Sequence, residues 1–130
     1  ESSLPWMLNE LAILMIARFW SSQFVWWAHR KMALDAGLHE SLINAIAQGQ
    51  SPAPLSEPLA AVHAFCHELI QTRQVSDATY AALSTQVGEQ GVVDLMAAMS
   101  YYTLVSMCLN VDPYPLPEGV LPELLPLAGA

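Results

Sequence analysis

The chain has very little positive charge: four Lys and Arg among 130 residues, and a net charge of −8. Nucleic-acid phosphates need a basic footprint, so this balance argues against such a partner. Charge of either sign is scarce, at 12% of residues against about 25% in a typical soluble domain. No apolar run reaches the roughly 18–20 residues needed to cross a bilayer. Residues 11–17 stop at Arg18, and residues 95–109 contain Ser100, Thr103 and Ser106. The first residues carry neither a basic region nor a cleavage pattern, so no secretory leader is read and the cytoplasm is the expected compartment. Cysteine is limited to Cys66 and Cys108, far apart and each in an apolar helical setting. Without metal or redox spacing they read as small buried hydrophobes. Period-2 alternation is nearly absent, which predicts no sheet.

What the chain does have is apolar surface: 54% of its residues are hydrophobic. One domain, residues 1–130, is long enough to bury a core. A small monomer would struggle to hide the remainder, so an obligate homo-oligomer is expected. The pattern predicts an all-α fold of about six helices. The first, residues 8–19, is apolar on nearly every face and should be buried all round. The second, residues 22–36, ends where Gly37 can supply a left-handed residue. A third covers residues 40–47. Ser56 caps a fourth that runs to about residue 71, with Pro58 in its first turn. Ser76 caps a fifth, ending near Gly88. A sixth covers residues 91–110. The tail, 112–130, holds Pro113, Pro115, Pro117, Pro122 and Pro126, so it should be extended and suited to wrapping a neighbouring subunit.

Two polar residues stand out against this background. Glu10 and His29 are set into apolar helices 19 positions apart, and burying either group is costly without a partner. Ser22, Trp26 and His29 are spaced i, i+4, i+7 and share one helix face, with Val25 on the same side. Glu10 faces them if the two helices pack antiparallel. A carboxylate bonded to an imidazole gives a general base that is tunable near neutrality. The plainer reading is a satisfied pair that fixes how two helices meet. Likewise Trp26 and Trp27 suit either an apolar pocket wall or a core and subunit interface. His63 and His67, at i, i+4, have metal-ligand spacing but no evident third ligand, so no metal is expected. His39 sits at a helix start, and the methionines fall at helical spacings as core filling.

Four segments resemble a known superfamily, that of carboxymuconolactone decarboxylase and alkyl hydroperoxidase D. They are Glu10-Leu-Ala-Ile-Leu-Met-Ile-Ala, the His29 helix ending Ala33-Leu-Asp-Ala-Gly37-Leu, the turn Val75-Ser-Asp-Ala-Thr-Tyr-Ala-Ala-Leu83, and Tyr101-Tyr-Thr-Leu-Val-Ser-Met-Cys-Leu-Asn110. The resemblance covers residues 8–111 and implies an all-α fold assembled as trimers or hexamers. The peroxidase branch carries Cys-x-x-Cys-x-x-x-His, with a Glu 12 positions before the first Cys. Aligned on His29, Ser22 and Val25 take the two cysteine positions and Glu10 the relay glutamate. Thiol peroxidase chemistry needs an attacking thiolate and a resolving thiol, so that activity is not expected. The chain looks closer to a thiol-free branch whose second helix reads Glu-Tyr-x-Trp-x-x-His, here Gln23-Phe24-Val25-Trp26-Trp27-Ala28-His29. Gln23 replaces an acid, Phe24 lacks a hydroxyl, and the later Pro-Ala-Ala segment of the lactone decarboxylases has no counterpart.

The resemblance, added to the residue chemistry, points to a small acid–base enzyme. Glu10 and His29 are its catalytic pair, and Ser22, Val25, Trp26, Trp27, Tyr102 and Asn110 its substrate-binding residues. Tyr101 or Tyr102 would donate to an oxyanion, and Asn110 would orient a carbonyl. Decarboxylation or proton transfer on a small lactone or carbonyl compound suits such a site. No cofactor is expected. The competing reading is a catalytically silent member of the fold that binds an apolar ligand or serves in an assembly.

Overall fold

The computed structural model describes residues 4–127. Residues 1–3 and 128–130 of the expected 1–130 domain lie outside them. Among the described residues the chain is all-helical, with no strand. The elements are α1 (Trp6–Trp20), α2 (Gln23–Asp35), α3 (Glu40–Ala47), α4 (Glu57–Thr72) and α5 (Asp77–Val111).

α1 is the centre of the fold and packs against α2, α3, α4 and α5. Leu8 and every residue from Glu10 to Arg18 are buried, as a helix apolar on all faces requires. Each fully buried Leu or Ile contributes about 1.5–3 kcal/mol relative to exposure, and Leu11, Ile13 and Leu14 are among the most completely enclosed. α1 ends at Ser21, which takes a left-handed φ of 51°. The Ser22 amide then reaches back to the Ala17 carbonyl at 2.9 Å. This two-residue turn sends α2 back across α1. α2 closes through Gly37 (φ 103°), with the Leu38 amide on the Ala33 carbonyl at 3.0 Å, a Schellman-type ending.

Ser76 caps α5 through a hydrogen bond from the Thr79 amide. Ser56 stands at the N-cap of α4, but its side chain makes no capping bond. α3 is capped by His39, whose ring accepts from the Ser41 amide at 3.2 Å.

Five helices stand where six were expected. The fifth and sixth join into one 35-residue run, α5, broken only at Gly88 (φ 74°, ψ 171°). That conformation is essentially restricted to glycine, so one residue makes the kink and no loop intervenes. Joined in this way, α5 is the one helix among the described residues long and apolar enough to cross a membrane by length and composition. Leu83, Val92, Leu95 and Met99 on its inner side are buried, whereas Val93, Met96, Leu104 and Met107 remain exposed.

The proline-rich tail is irregular up to residue 127. It lies over its own α1 and α2, with Leu124 buried.

A Cβ on Gly88 would meet nothing within 4 Å, so the cost of a side chain there is conformational. Gly88→Ala is expected to lower stability by about 1–3 kcal/mol. This will appear as a lower urea midpoint at unchanged m-value.

Candidate functional site

α1 and α2 cross so that Glu10 and His29 meet. Glu10 is 3% and His29 9% exposed. His29 Nδ1 lies 2.7 Å from Glu10 Oε1. The other carboxylate oxygen accepts from the Trp6 indole at 3.2 Å, one turn earlier on α1. A carboxylate at Nδ1 favours the proton on that nitrogen and leaves Nε2 as the free position. No hydrogen-bond partner reaches Nε2 among the described residues. The Tyr102 ring packs edge-on against the imidazole, with centroids 4.8 Å apart. Burial, then the Glu10 charge and Tyr101, hold the Tyr102 phenol above its ordinary pKa, so it stays protonated as a donor. Tyr101 is 58% exposed, its ring edge-on to that of Tyr102 with centroids 5.1 Å apart.

The other expected site residues do not form one pocket with this pair. Trp26 is fully buried, and its indole donates to Glu123 Oε1 of the tail at 2.9 Å. Val25 is buried in the core. Trp27 is 41% exposed and packs against Phe24, with centroids 5.7 Å apart. Ser22 and Asn110 do come together, on a cleft of about 540 Å³ bounded by Phe24, Leu109, Tyr114 and Pro122. The Ser22 hydroxyl is buried with no hydrogen-bond partner among the described residues. The Asn110 amide donates to the Trp20 carbonyl at 2.6 Å, so it fastens the end of α1 instead of presenting that donor to a ligand. A second cleft, of about 470 Å³, lies beside Arg18, His63 and His67. Neither cleft is lined by Glu10, His29 or Trp26.

Several contributors were not anticipated from the sequence. Trp6 had an i, i+4 relation to Glu10 that could have been read. Glu123 had no local signal. It takes the Trp26 indole and lies 2.9 Å from Arg30 Nε, an ion pair whose N–H is not aligned for a hydrogen bond. Gln23 grips the next tail residue from both sides: its amide nitrogen donates to the Leu124 carbonyl at 2.8 Å, and its oxygen accepts from the Leu124 amide at 3.1 Å.

The cysteines are separate in environment. Cys66 is buried, with its thiol against Met99 Sδ at 3.7 Å, and burial pushes its pKa up to about 12. Cys108 is exposed. A thiol held at that value has almost no thiolate near neutrality. The His63 and His67 rings stack with centroids 6.0 Å apart, and no group of three His, Cys, Asp or Glu that could hold a metal occurs among the described residues.

No family model, curated protein or solved structure matches this chain.

Glu123→Ala leaves the buried Trp26 N–H without its acceptor. It is expected to cost about 1–3 kcal/mol and to expose the tail to limited proteolysis. Gln23→Glu removes the donor to Leu124 and should raise tail cleavage in the same assay. With an aromatic disulfide reagent at pH 8, the native protein is expected to show one fast thiol, lost in Cys108→Ser. Cys66 should react only on unfolding.

Proposed function

We propose that the chain is a thiol-free relative of the carboxymuconolactone decarboxylase and alkyl hydroperoxidase D superfamily, and that it works as a small acid–base enzyme on a lactone or carbonyl compound. The observation that carries this reading is the buried Glu10–His29 pair with its outer imidazole nitrogen unpartnered. In this arrangement Glu10 is the positioning residue: its carboxylate at Nδ1 fixes the ring orientation and tautomer. His29 Nε2 is the atom that exchanges a proton. It takes one from carbon beside a carbonyl, or returns one to the enolate left by loss of carbon dioxide. Tyr102, protonated and against the ring, is the nearest donor for a developing oxyanion. No cofactor enters this scheme. Peroxide reduction is disfavoured because Ser22 and Val25 occupy the positions of the two thiols and Cys66 is a buried, protonated thiol. The exposed apolar residues Val93, Met96, Tyr101, Leu104 and Met107 of α5 support assembly as an obligate homo-oligomer, a trimer or hexamer.

A second reading keeps the fold and drops the reaction: the pair is structural, and the protein binds a small apolar or lactone-like ligand or serves in an assembly. It is favoured by the absence of Glu10 and His29 from both clefts.

The two readings separate in a deuterium-exchange assay. Wild type is incubated with small lactones and β-keto acids in heavy water and followed by NMR. The enzyme reading expects exchange above background, reduced about 10²- to 10⁴-fold in His29→Gln and lowered in Glu10→Gln, each assayed well below that variant's own thermal midpoint. Background exchange from wild type across the panel, with variants that change only stability, would leave the structural reading.

A further inference from the structure

At the other end of α1, eight positions beyond Glu10, a second charge is buried. Eight residues of helix span about 12 Å, so this group is separate from the Glu10–His29 pair and does not rest on its chemistry. Arg18 is 4% exposed. One terminal nitrogen donates to the Leu125 carbonyl. The other terminal nitrogen and Nε are buried with no hydrogen-bond partner among the described residues. No ion pair reaches the guanidinium among them either, although the chain carries twelve Asp and Glu. The position in the last turn of α1 places the cation at the negative end of the helix dipole, which offsets part of the cost. It leaves the donors unfilled, and a buried cation without a counter-charge remains expensive. Burial accordingly lowers the Arg18 pKa from its ordinary value.

Arg18 lines the cleft of about 470 Å³, whose apolar wall includes Met15, Phe19, Ile46 and Ile70, with His63, His67 and Gln71 also lining it. His63 is half-buried and His67 exposed, so the imidazoles run from the interior to the rim. The volume falls within the range of small-molecule sites, and an apolar cavity with a few convergent polar groups is their usual form.

We propose that this cleft binds a small monocarboxylate with an apolar body, the carboxylate on Arg18 and the body against Met15, Phe19, Ile46 and Ile70. The planar guanidinium fork matches a carboxylate and supplies the donors it needs. A water molecule would fill a donor without answering the charge. Inorganic phosphate fits less well, because Arg18 is the one arginine lining the cleft, and Met15, Phe19, Ile46 and Ile70 would face a dianion beside His63, His67 and Gln71.

The test is titration calorimetry of the full chain with octanoate, octan-1-ol and inorganic phosphate. Octanoate is expected to saturate one site per chain, with the alcohol and phosphate at least about 10-fold weaker. Arg18→Met should weaken octanoate binding about 10- to 150-fold, the equivalent of losing charge-assisted hydrogen bonds. The unliganded Arg18→Met protein should melt no lower than wild type, since an unpaired buried charge is exchanged for an apolar side chain. A purely structural arginine would instead give a lower melting point. Gln71→Trp enters the same cleft from an exposed position on α4 and leaves Arg18 untouched; it too should weaken octanoate binding. The proposal is overturned by no saturation at about 10 mM octanoate, by equal or tighter binding of octan-1-ol or phosphate, or by unchanged octanoate affinity in Arg18→Met. Should Arg18→Met fail to fold, unchanged affinity in Gln71→Trp overturns it equally.

Discussion

A charge carried into an apolar helix must be answered, and α1 carries two. Glu10 and Arg18 sit within the same fully packed run, where unpaired ions are costly. Glu10 is answered twice, by the His29 imidazole and the Trp6 indole. The first of these bonds sets where α2 lies against α1, since a shift of one turn would separate the pair and strand a carboxylate in the core. Among the described residues Arg18 is answered once, by a backbone carbonyl of the tail. The same physical demand therefore has a complete solution at one end of the helix and an incomplete one at the other.

The tail follows from this. Arg18 on α1 and Gln23, Trp26 and Arg30 on α2 all reach the segment Glu123 to Leu125. The amide of Gln23 both donates to and accepts from the Leu124 backbone, which a carboxylate at that position is unable to do. A residue that departs from the resembled motif thus has a local reason: it holds the tail. The tail in turn builds walls of both clefts, through Pro113, Tyr114, Leu116 and Pro122 on one and Leu127 on the other. Releasing Glu123 would loosen a clamp and open two cavities together.

The helices were legible because their periodicity and punctuation are local. α3 begins and ends where its sequence pattern does, and Gly37 closes α2 in the left-handed conformation its position suggested. Gly88 was read as a helix end, whereas it is a single-residue kink, and sequence alone does not separate a break from a loop. Helical spacing put Ser22, Trp26 and His29 on one helix face; all three are buried, with Ser22 at the extended N-cap of α2. It could not say what covers that face. Trp26, which suits either a pocket wall or the core, lies in the core and binds Glu123, 97 positions away. The Arg18 contact spans 107 positions. Contacts of that separation leave no periodic trace, so the tail's role and the second cleft were invisible until the chain was folded.

The remaining question is physical: whether an imidazole with so little exposure has room to work. The His29 side chain keeps 11% of its surface, with Nε2 unpartnered and Tyr102 alongside. Beyond Tyr102 the outer face of α5 is apolar and uncovered, with Tyr101, Leu104 and Met107 exposed. On this face a second copy of the chain would do more than hide apolar area. In the proposed oligomer it would also exclude water from the surface next to Tyr102 and His29. Electrostatic interactions strengthen as solvent is removed, so the Glu10–His29 pair would become a stronger proton-transfer unit in the assembly than in the isolated chain. Under the proposed function and assembly, the burial that suits a structural pair would also suit proton transfer.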